Sequence, residues 1–259
     1  MVGNANSAND IASQLAPVAA NPVFRSIRRP NMHYFPLLPH PHIQDVGPIA
    51  RYSLSDHNTA TLHLQDGTEI PNIEYVFLGT GYKWTVPFVR VLDGSDEQTL
   101  KHLCDPSVRP HRVPSLHRQI LYAYNPTLAF VGGTVSSTPF IFNDLCSTWL
   151  ALAWSKPDVI RYPDTPQARL ESEQARLEAI KSLRESTENP TSLLAFHILG
   201  PEELPFARIL RGEVLLARPE FGEGENKLIE WSDSMWGEKE AMFGLKEETL
   251  KRTQEVARA

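Results

Sequence analysis

A chain of 259 residues with 41% hydrophobic and 22% charged residues has the composition of a folded globular protein, long for one domain and short for two, which sets aside disordered, collagen-like and coiled-coil architectures. A net charge of −6 offers no basic field for a nucleic-acid backbone, so no nucleic-acid partner is expected. Two cysteines, Cys104 and Cys146, have no CxxC partner and fit a reducing compartment. No window of ~18 uninterrupted apolar residues exists, so no transmembrane segment is expected. With no secretory signal at the start, the chain reads as cytoplasmic.

Taken in order, a small-residue turn at Gly3 leads into a helical stretch in which Ile11, Ala12 and Leu15 share one side, with no room for a strand ahead of it. Residues 23–27 alternate as a short strand with a basic tip at Arg28 and Arg29. Residues 30–48, rich in Pro and His, read as an irregular loop. Alternation resumes at Ile49 and includes a hairpin about Asp66 and Gly67. Residues 75–78 form an all-apolar run that predicts a buried strand, broken at Gly79-Thr80-Gly81-Tyr82.

A further apolar strand is predicted over 128–131, stopped by Gly132 and Gly133. Ser137 or Thr138 then caps a buried helix with Pro139 at its first position, ending near Ser155 before Pro157. Residues 167–188 predict a surface helix with a stripe of Leu170, Leu177, Ile180 and Leu183. Residues 201–211 and 227–258 predict more surface helices about Trp231, Trp236 and Phe243.

Gly3-Asn4-Ala5-Asn6-Ser7-Ala8 fits the dinucleotide turn G-x-G-x-x-G/A with alanine in the middle. The first glycine permits the tight turn, and the last small residue, Ala8, allows close packing of helix on strand. Ser26 and Arg28 stand where such folds meet the 2′-position of the adenosine ribose. A guanidinium there suits a 2′-phosphate, so NADPH is favoured over NADH.

These residues resemble the flavin-containing monooxygenases, in the branch common among fungi. Residues 2–12 look like that family's NADPH glycine motif, and residues 23–29 like its following strand. Val76-Phe77-Leu78-Gly79-Thr80-Gly81-Tyr82 is similar to its F-A-T-G-Y linker, with Gly79 where alanine is usual. Residues 125–132 with Pro139-Phe140 resemble its flavin-contacting strand and helix, and Phe196-His197-Ile198-Leu199-Gly200 resembles a late segment. The first FAD turn and the F-x-G-x-x-x-H motif are not found, which implies a member lacking its N-terminal FAD-binding part.

The resemblance implies an α/β, Rossmann-like fold of two dinucleotide-binding domains. Residues 1–78 would be the remainder of the NADPH domain, 79–160 the C-terminal part of the FAD domain, and 161–259 a helical extension. It implies the cofactors FAD and NADPH and oxygenation of a soft nitrogen or sulfur nucleophile of a small-molecule substrate through a flavin C4a-hydroperoxide. The cofactor-binding candidates are Gly3, Asn4, Ser7, Ala8, Ser26, Arg28, Thr80, Gly81, Tyr82, Gly132 and Gly133. No catalytic side chain is assigned.

Two other readings stay open: a truncated non-catalytic relic or nucleotide-binding module, and a Baeyer-Villiger or N-hydroxylating flavin monooxygenase. His33, His40 and His42 lack the three or four convergent ligands of a metal site, so no metal is expected. There is no Gly-x-Ser-x-Gly elbow for hydrolase chemistry.

Overall fold

The computed structural model describes residues 1–29, 40–55, 59–93, 96–136, 138–188 and 194–256 and is of α/β class. It divides into two compact units, Met1–Tyr82 with Glu238–Ala259, and Lys83–Gly237. His33 and Ser137 lie outside the described residues.

In the first unit the chain opens directly into a sheet. Val2 makes parallel bridges to Ser26 on one side and Leu78 on the other. Its N–H donates to Phe77 O at 2.8 Å, and its carbonyl accepts from the Gly79 N–H at 2.8 Å. Gly3, at φ +112°, turns the chain toward α1 (Asn6–Leu15). The chain returns as β1 (Val23–Ser26), which pairs in parallel with β2 (Ile43–Val46), Val23 opposite Ile43 and Ser26 opposite Val46. The parallel row therefore reads β2, β1, Val2, Leu78.

This corrects two expectations. A strand position does exist ahead of Gly3, because a single residue whose N–H and C=O both pair is enough to occupy it. Within 30–48, read as a loop, β2 forms from four residues with only their ends apolar, a pattern without a two-residue period.

Two glycines allow the row to close. A Cβ on Gly3 would stand 2.4 Å from Gly79 O, and one on Gly79 would stand 2.7 Å from the Ala8 Cβ. Ala8 is fully buried at this contact. Residue 79 is thus glycine, where alanine is usual in the resembled motif, because Ala8 on α1 already fills the space.

The expected hairpin is part of a three-stranded antiparallel sheet of β3 (Ile49–Leu54), β4 (Ala60–Leu64) and β5 (Glu69–Ile73). Leu62, Leu64 and Ile70 form its apolar face. On the alternate face His63 joins its neighbours, with Nε2 2.7 Å from Ser53 Oγ and Nδ1 2.8 Å from Glu69 Oε1. Residues 75–78 are not the buried strand expected. Only Leu78 pairs, and Tyr75 and Leu78 are 74% and 73% exposed. An all-apolar run is buried only where both sheet faces are covered; here Tyr75, Val76 and Phe77 line an open cavity of about 690 Å³.

The second unit begins with the antiparallel pair β6 (Arg90–Asp93) and β7 (Asp96–His102). A tight hairpin follows, β8 (Leu116–His117) and β9 (Leu121–Tyr122). Its turn places Arg118 and Gln119 at φ +51° and +58°. Left-handed backbone at non-glycine residues costs about 1–3 kcal/mol each, and side-chain bonds hold it here. Arg118 bonds both oxygens of Glu213 at 2.7 and 2.8 Å, while Gln119 Oε1 lies 3.0 Å from His197 Nδ1. The strand predicted over 128–131 is reduced to one bridge, Ala129 to Leu121, since β9 offers only two residues to pair with.

Helix α2 (Pro139–Ser155) is as expected, with proline in its first turn and Phe142, Leu145, Trp149 and Ala153 buried. Thr138 stands at its N-cap without a side-chain cap bond; the Thr138 N–H donates to Ser136 Oγ at 2.9 Å. Helix α3 (Pro166–Ser186) departs from its predicted stripe. Its buried residues are Arg169, Glu173 and Ile180, and Leu183 is 45% exposed. The packed face is polar because it serves loop backbone: Arg169 donates to the carbonyls of Ala123, Pro163 and Asp164, and Arg176 to those of Phe196 and Ile198. Glu173 accepts from Arg112 Nε at 2.6 Å and the Ser115 N–H at 2.8 Å.

Helix α4 (Glu203–Ala217) is longer than predicted and buries Ala207, Leu210 and Val214 in the core it shares with α2. Phe142 sits at that core, stacked at 6.0 Å on Phe206 and edge-on at 5.9 Å to Trp231. The last helix, α5 (Asp233–Val256), starts beyond the buried Trp231; the Phe243 side chain lies outside the description. Its Lys246 reaches the Asn6 side chain and, at 2.7 Å, Asp10 of α1.

His197 is fully buried. Its Nε2 accepts the Val113 N–H at 3.0 Å, so the proton sits on Nδ1 and is donated to Gln119. Burial, with Arg112, Arg176 and His111 nearby, pushes its pKa down to about 3. Burial and Arg118 push His117 down to about 4.

Two outcomes follow. Gly79→Ala costs about 1–3 kcal/mol by overpacking, and Ala8→Gly in the same chain recovers at least about 0.5 kcal/mol of that loss; urea melts of the four variants giving additive effects would contradict the contact. Both histidines fold neutral, so the unfolded chain binds protons below pH ~6.5 that the folded chain refuses. Their contribution is full above that pH and is lost as pH falls, by about 2 kcal/mol each between pH 7 and 5. His197→Gln flattens this slope in melts at pH 7, 6 and 5, and an unchanged slope would count against a neutral buried His197.

Candidate functional site

In the first unit the carboxyl ends of Val2, β1 and Leu78 open on the same side of the parallel row. Gly3, Ser26 and Arg28 stand at or just beyond those ends in the chain. Gly3 donates its N–H to Ser26 O at 3.0 Å, so the turn leaves the sheet beside the end of β1. Helix α1 follows with Ala5 at its N-cap and no side-chain cap, and its first internal bond is from the Asn9 N–H to Ala5 O. The N–H groups of Asn6, Ser7 and Ala8 precede that bond and have no carbonyl within the helix, which makes the end an acceptor of negative charge. Ser7 is exposed beside them.

A polar chain not anticipated in the sequence holds this turn. Arg25, 3% exposed on β1, pairs with Asp45 of β2 at 2.6 Å and donates to Asn9 Oδ1 at 3.2 Å. Asn9 Nδ2 donates to Asn4 O at 3.0 Å, and Asn4 Nδ2 to Arg29 O at 2.9 Å. Asp45, Arg25, Asn9 and Asn4 thus fix the glycine turn to the basic tip of β1. An arginine in a short strand reads as solvent-facing, and the signal that it is not lies only in its pairing with a strand that had no pattern of its own.

Ser26 is buried, and its hydroxyl donates to Gly47 O at 3.0 Å. Arg28 is exposed two residues beyond the end of β1. Thr80, Gly81 and Tyr82 are exposed, Gly81 at φ +81°, and the first unit passes to the second after Tyr82. Among the described residues no group of three or more His, Cys, Asp or Glu could hold a metal ion.

Gly132 and Gly133 belong to the second unit. Gly132 has φ +84° and is exposed, and the Gly133 carbonyl accepts from Trp84 Nε1 at 2.7 Å. The loop is tied again where the Val135 N–H donates to His197 O at 2.7 Å and Val135 pairs in parallel with Ile198. Sequence reasoning missed Trp84 as a support, and the late Phe196-His197 segment meets this loop through the His197 carbonyl. Cys146, buried in α2, has its thiol pushed up to about 12 by burial and is no nucleophile.

A dinucleotide fits what the first unit presents: a turn that a Cβ at Gly3 would close, a helix end with unspent N–H groups, and an exposed guanidinium. For a flavin the second unit presents a left-handed glycine and the uncapped start of α2. Near Gly132 the Asn143 Oδ1 is buried without a donor among the described residues. These suit a ring edge rather than a diphosphate.

Scanned against models of protein families, the chain matches none. It is 27% identical over 159 residues to the thiol-specific monooxygenase of Saccharomyces cerevisiae, covering 56% of this chain and 32% of the yeast protein. It is 28% identical over 145 residues to the flavin-containing monooxygenase ustF2 of Aspergillus flavus, covering 51% of this chain and 29% of that protein. The chain thus spans about a third of the length of these curated relatives. In fold it is similar to the crystal structure of Tmm from Pelagibacter sp. strain HTCC7211, with a TM-score of 0.54 at 19% identity over 85% of this chain and 45% of that one. No helix among the described residues is long and apolar enough to cross a membrane. By sequence, then, about half of the chain is similar to part of a thiol-specific monooxygenase and to part of a flavin-containing monooxygenase.

Proposed function

We propose that the first unit binds NADPH as half of a Rossmann-like pair of dinucleotide domains, and that the chain takes part in FAD-dependent monooxygenation of a small molecule with a soft nitrogen or sulfur nucleophile. The observation that carries this reading is the parallel row β2, β1, Val2, Leu78 with the Gly3 turn running into α1 at its centre. In chain order that is the 3-2-1-4 arrangement in which nucleotides lie across the carboxyl ends of the strands.

Gly3, Asn4, Ser7 and Ala8 would form the cradle for the diphosphate, whose charge the first-turn N–H groups of α1 favour. Arg28 would take the 2′-phosphate, with Ser26 offering its remaining lone pairs toward the ribose side. Thr80, Gly81 and Tyr82 would form the linker between cofactor domains, and Gly132 and Gly133, braced by Trp84 and His197, would lie against the flavin ring. When bound, NADPH supplies hydride and FAD the oxygen chemistry; the residues here bind, orient and shield.

A second reading, a nucleotide-binding module without flavin chemistry, is favoured by the same fit: the described residues offer a flavin a ring-edge contact and no second diphosphate turn. Bound flavin absorbing near ~450 nm separates the two.

The chain binds NADPH more tightly than NADH, and Arg28→Ala weakens NADPH about tenfold, the size of one charge-assisted hydrogen bond, while NADH changes less than about twofold. Fluorescence titration with both nucleotides checks this, and equal losses for both, or none, would remove Arg28 from the site.

A further inference from the structure

Helix α5 meets the first turns of α1 through Lys246. Two other cations of α5, Lys251 and Arg252, pair within their own helix, with Glu247 and Glu248. Lys246 is placed differently, because the positions three and four residues away from it, Met242, Phe243, Thr249 and Leu250, offer no carboxylate. Its ammonium leaves the helix, bonds the Asn6 side chain and reaches the two Asp10 carboxylate oxygens at 2.7 and 3.0 Å. All three residues belong to the first unit.

The place it reaches lies beside the proposed diphosphate cradle. Asn6 opens α1 and carries one of the N–H groups that have no carbonyl within the helix. Asp10 follows one turn later, about 6 Å along the axis. It is the only charged residue of α1. A carboxylate in the second turn is too far along to cap the helix, yet it lies within the ~8–10 Å over which charges still act in physiological salt. Left bare, it would oppose the anion that the free N–H groups favour. Arg25, the buried cation of β1, is already engaged by Asp45, so the compensating charge comes from α5.

We propose that Lys246 is a positioning residue of the nucleotide site. It cancels the charge of Asp10 and keeps the start of α1 favourable to a diphosphate, which ties nucleotide affinity to the docking of α5 on α1. This inference rests on the nucleotide reading of the first unit and adds to it a residue from the far end of the chain.

The test uses the full chain with ADP and adenosine as probes in calorimetric titrations. Lys246→Met keeps most of the side-chain length and removes the charge; it weakens ADP about fivefold and adenosine less than about twofold. Asp10→Asn in the same chain restores ADP to within about twofold of the unaltered protein. In about 0.5 M salt the effect of Lys246→Met shrinks. A lysine that merely anchored α5 would give no such recovery, because the double variant lacks the ion pair as well. Unchanged ADP affinity in Lys246→Met, an equal loss for adenosine, or no recovery in the double variant would overturn the proposal. Failure of ADP to bind the unaltered chain would instead overturn the nucleotide reading on which it rests.

Discussion

The first unit depends on how closely two backbone segments approach each other. Val2 can sit between β1 and Leu78 only because Gly3 and Gly79 carry no Cβ, and because the residue facing Gly79 from α1 is as small as Ala8. Hydrogen bonds on both sides of Val2 then set the direction in which the chain leaves the sheet, and that direction aims the start of α1 over the ends of the strands. Turn, helix end and basic tip are placed by this one contact. The buried Arg25, with Asp45 and Asn9, secures it from the other side of the turn. Arg25 is the buried partner, so removing Asp45, itself 45% exposed, strands a buried guanidinium charge.

The second unit solves a different problem. Much of it is irregular chain, as 21 prolines in 259 residues foreshadow, and irregular backbone must still find hydrogen-bond partners when it is buried. Helix α3 provides them with Arg169 and Arg176, whose forked donors reach carbonyls on separate loops. Glu173 meets Ser115, and His197 meets Val113, in the same way. Side chains do here what strand ladders do in the first unit. Trp84 and His197 extend that support to residues 133–135, so the loop with the left-handed Gly132 is held from both ends.

What could be read from the sequence follows this division. Helices α1 and α2 and the hairpin around Gly67 rest on local signals, a small-residue turn, a leading proline and a clean alternation, and the structure has them where those signals lie. The glycine turn and Ala8 were legible because the spacing of small residues reports backbone approach directly. Strand β2 was not, since a four-residue strand with a polar middle exists only by pairing with β1. Residues 75–78 misled in the opposite direction: their apolarity signals cover on both sides, which the described residues do not supply. On α3 the leucine stripe suggested an apolar face, yet the helix buries arginine and glutamate because its partners are carbonyls and N–H groups, and no periodicity encodes that. The relatives found by comparison agree with the family resemblance read from the motifs.

The most direct measurement of the central claim is to map, by amide NMR on the full chain, where adenosine 2′,5′-bisphosphate binds. The account predicts that shifts concentrate at Gly3, Ser7, Ala8 and Arg28, with Ser7 and Ala8 responding also to ADP and Arg28 only to the 2′-phosphate. Shifts elsewhere with this turn silent, or an Arg28 response that ignores the 2′-phosphate, would contradict it.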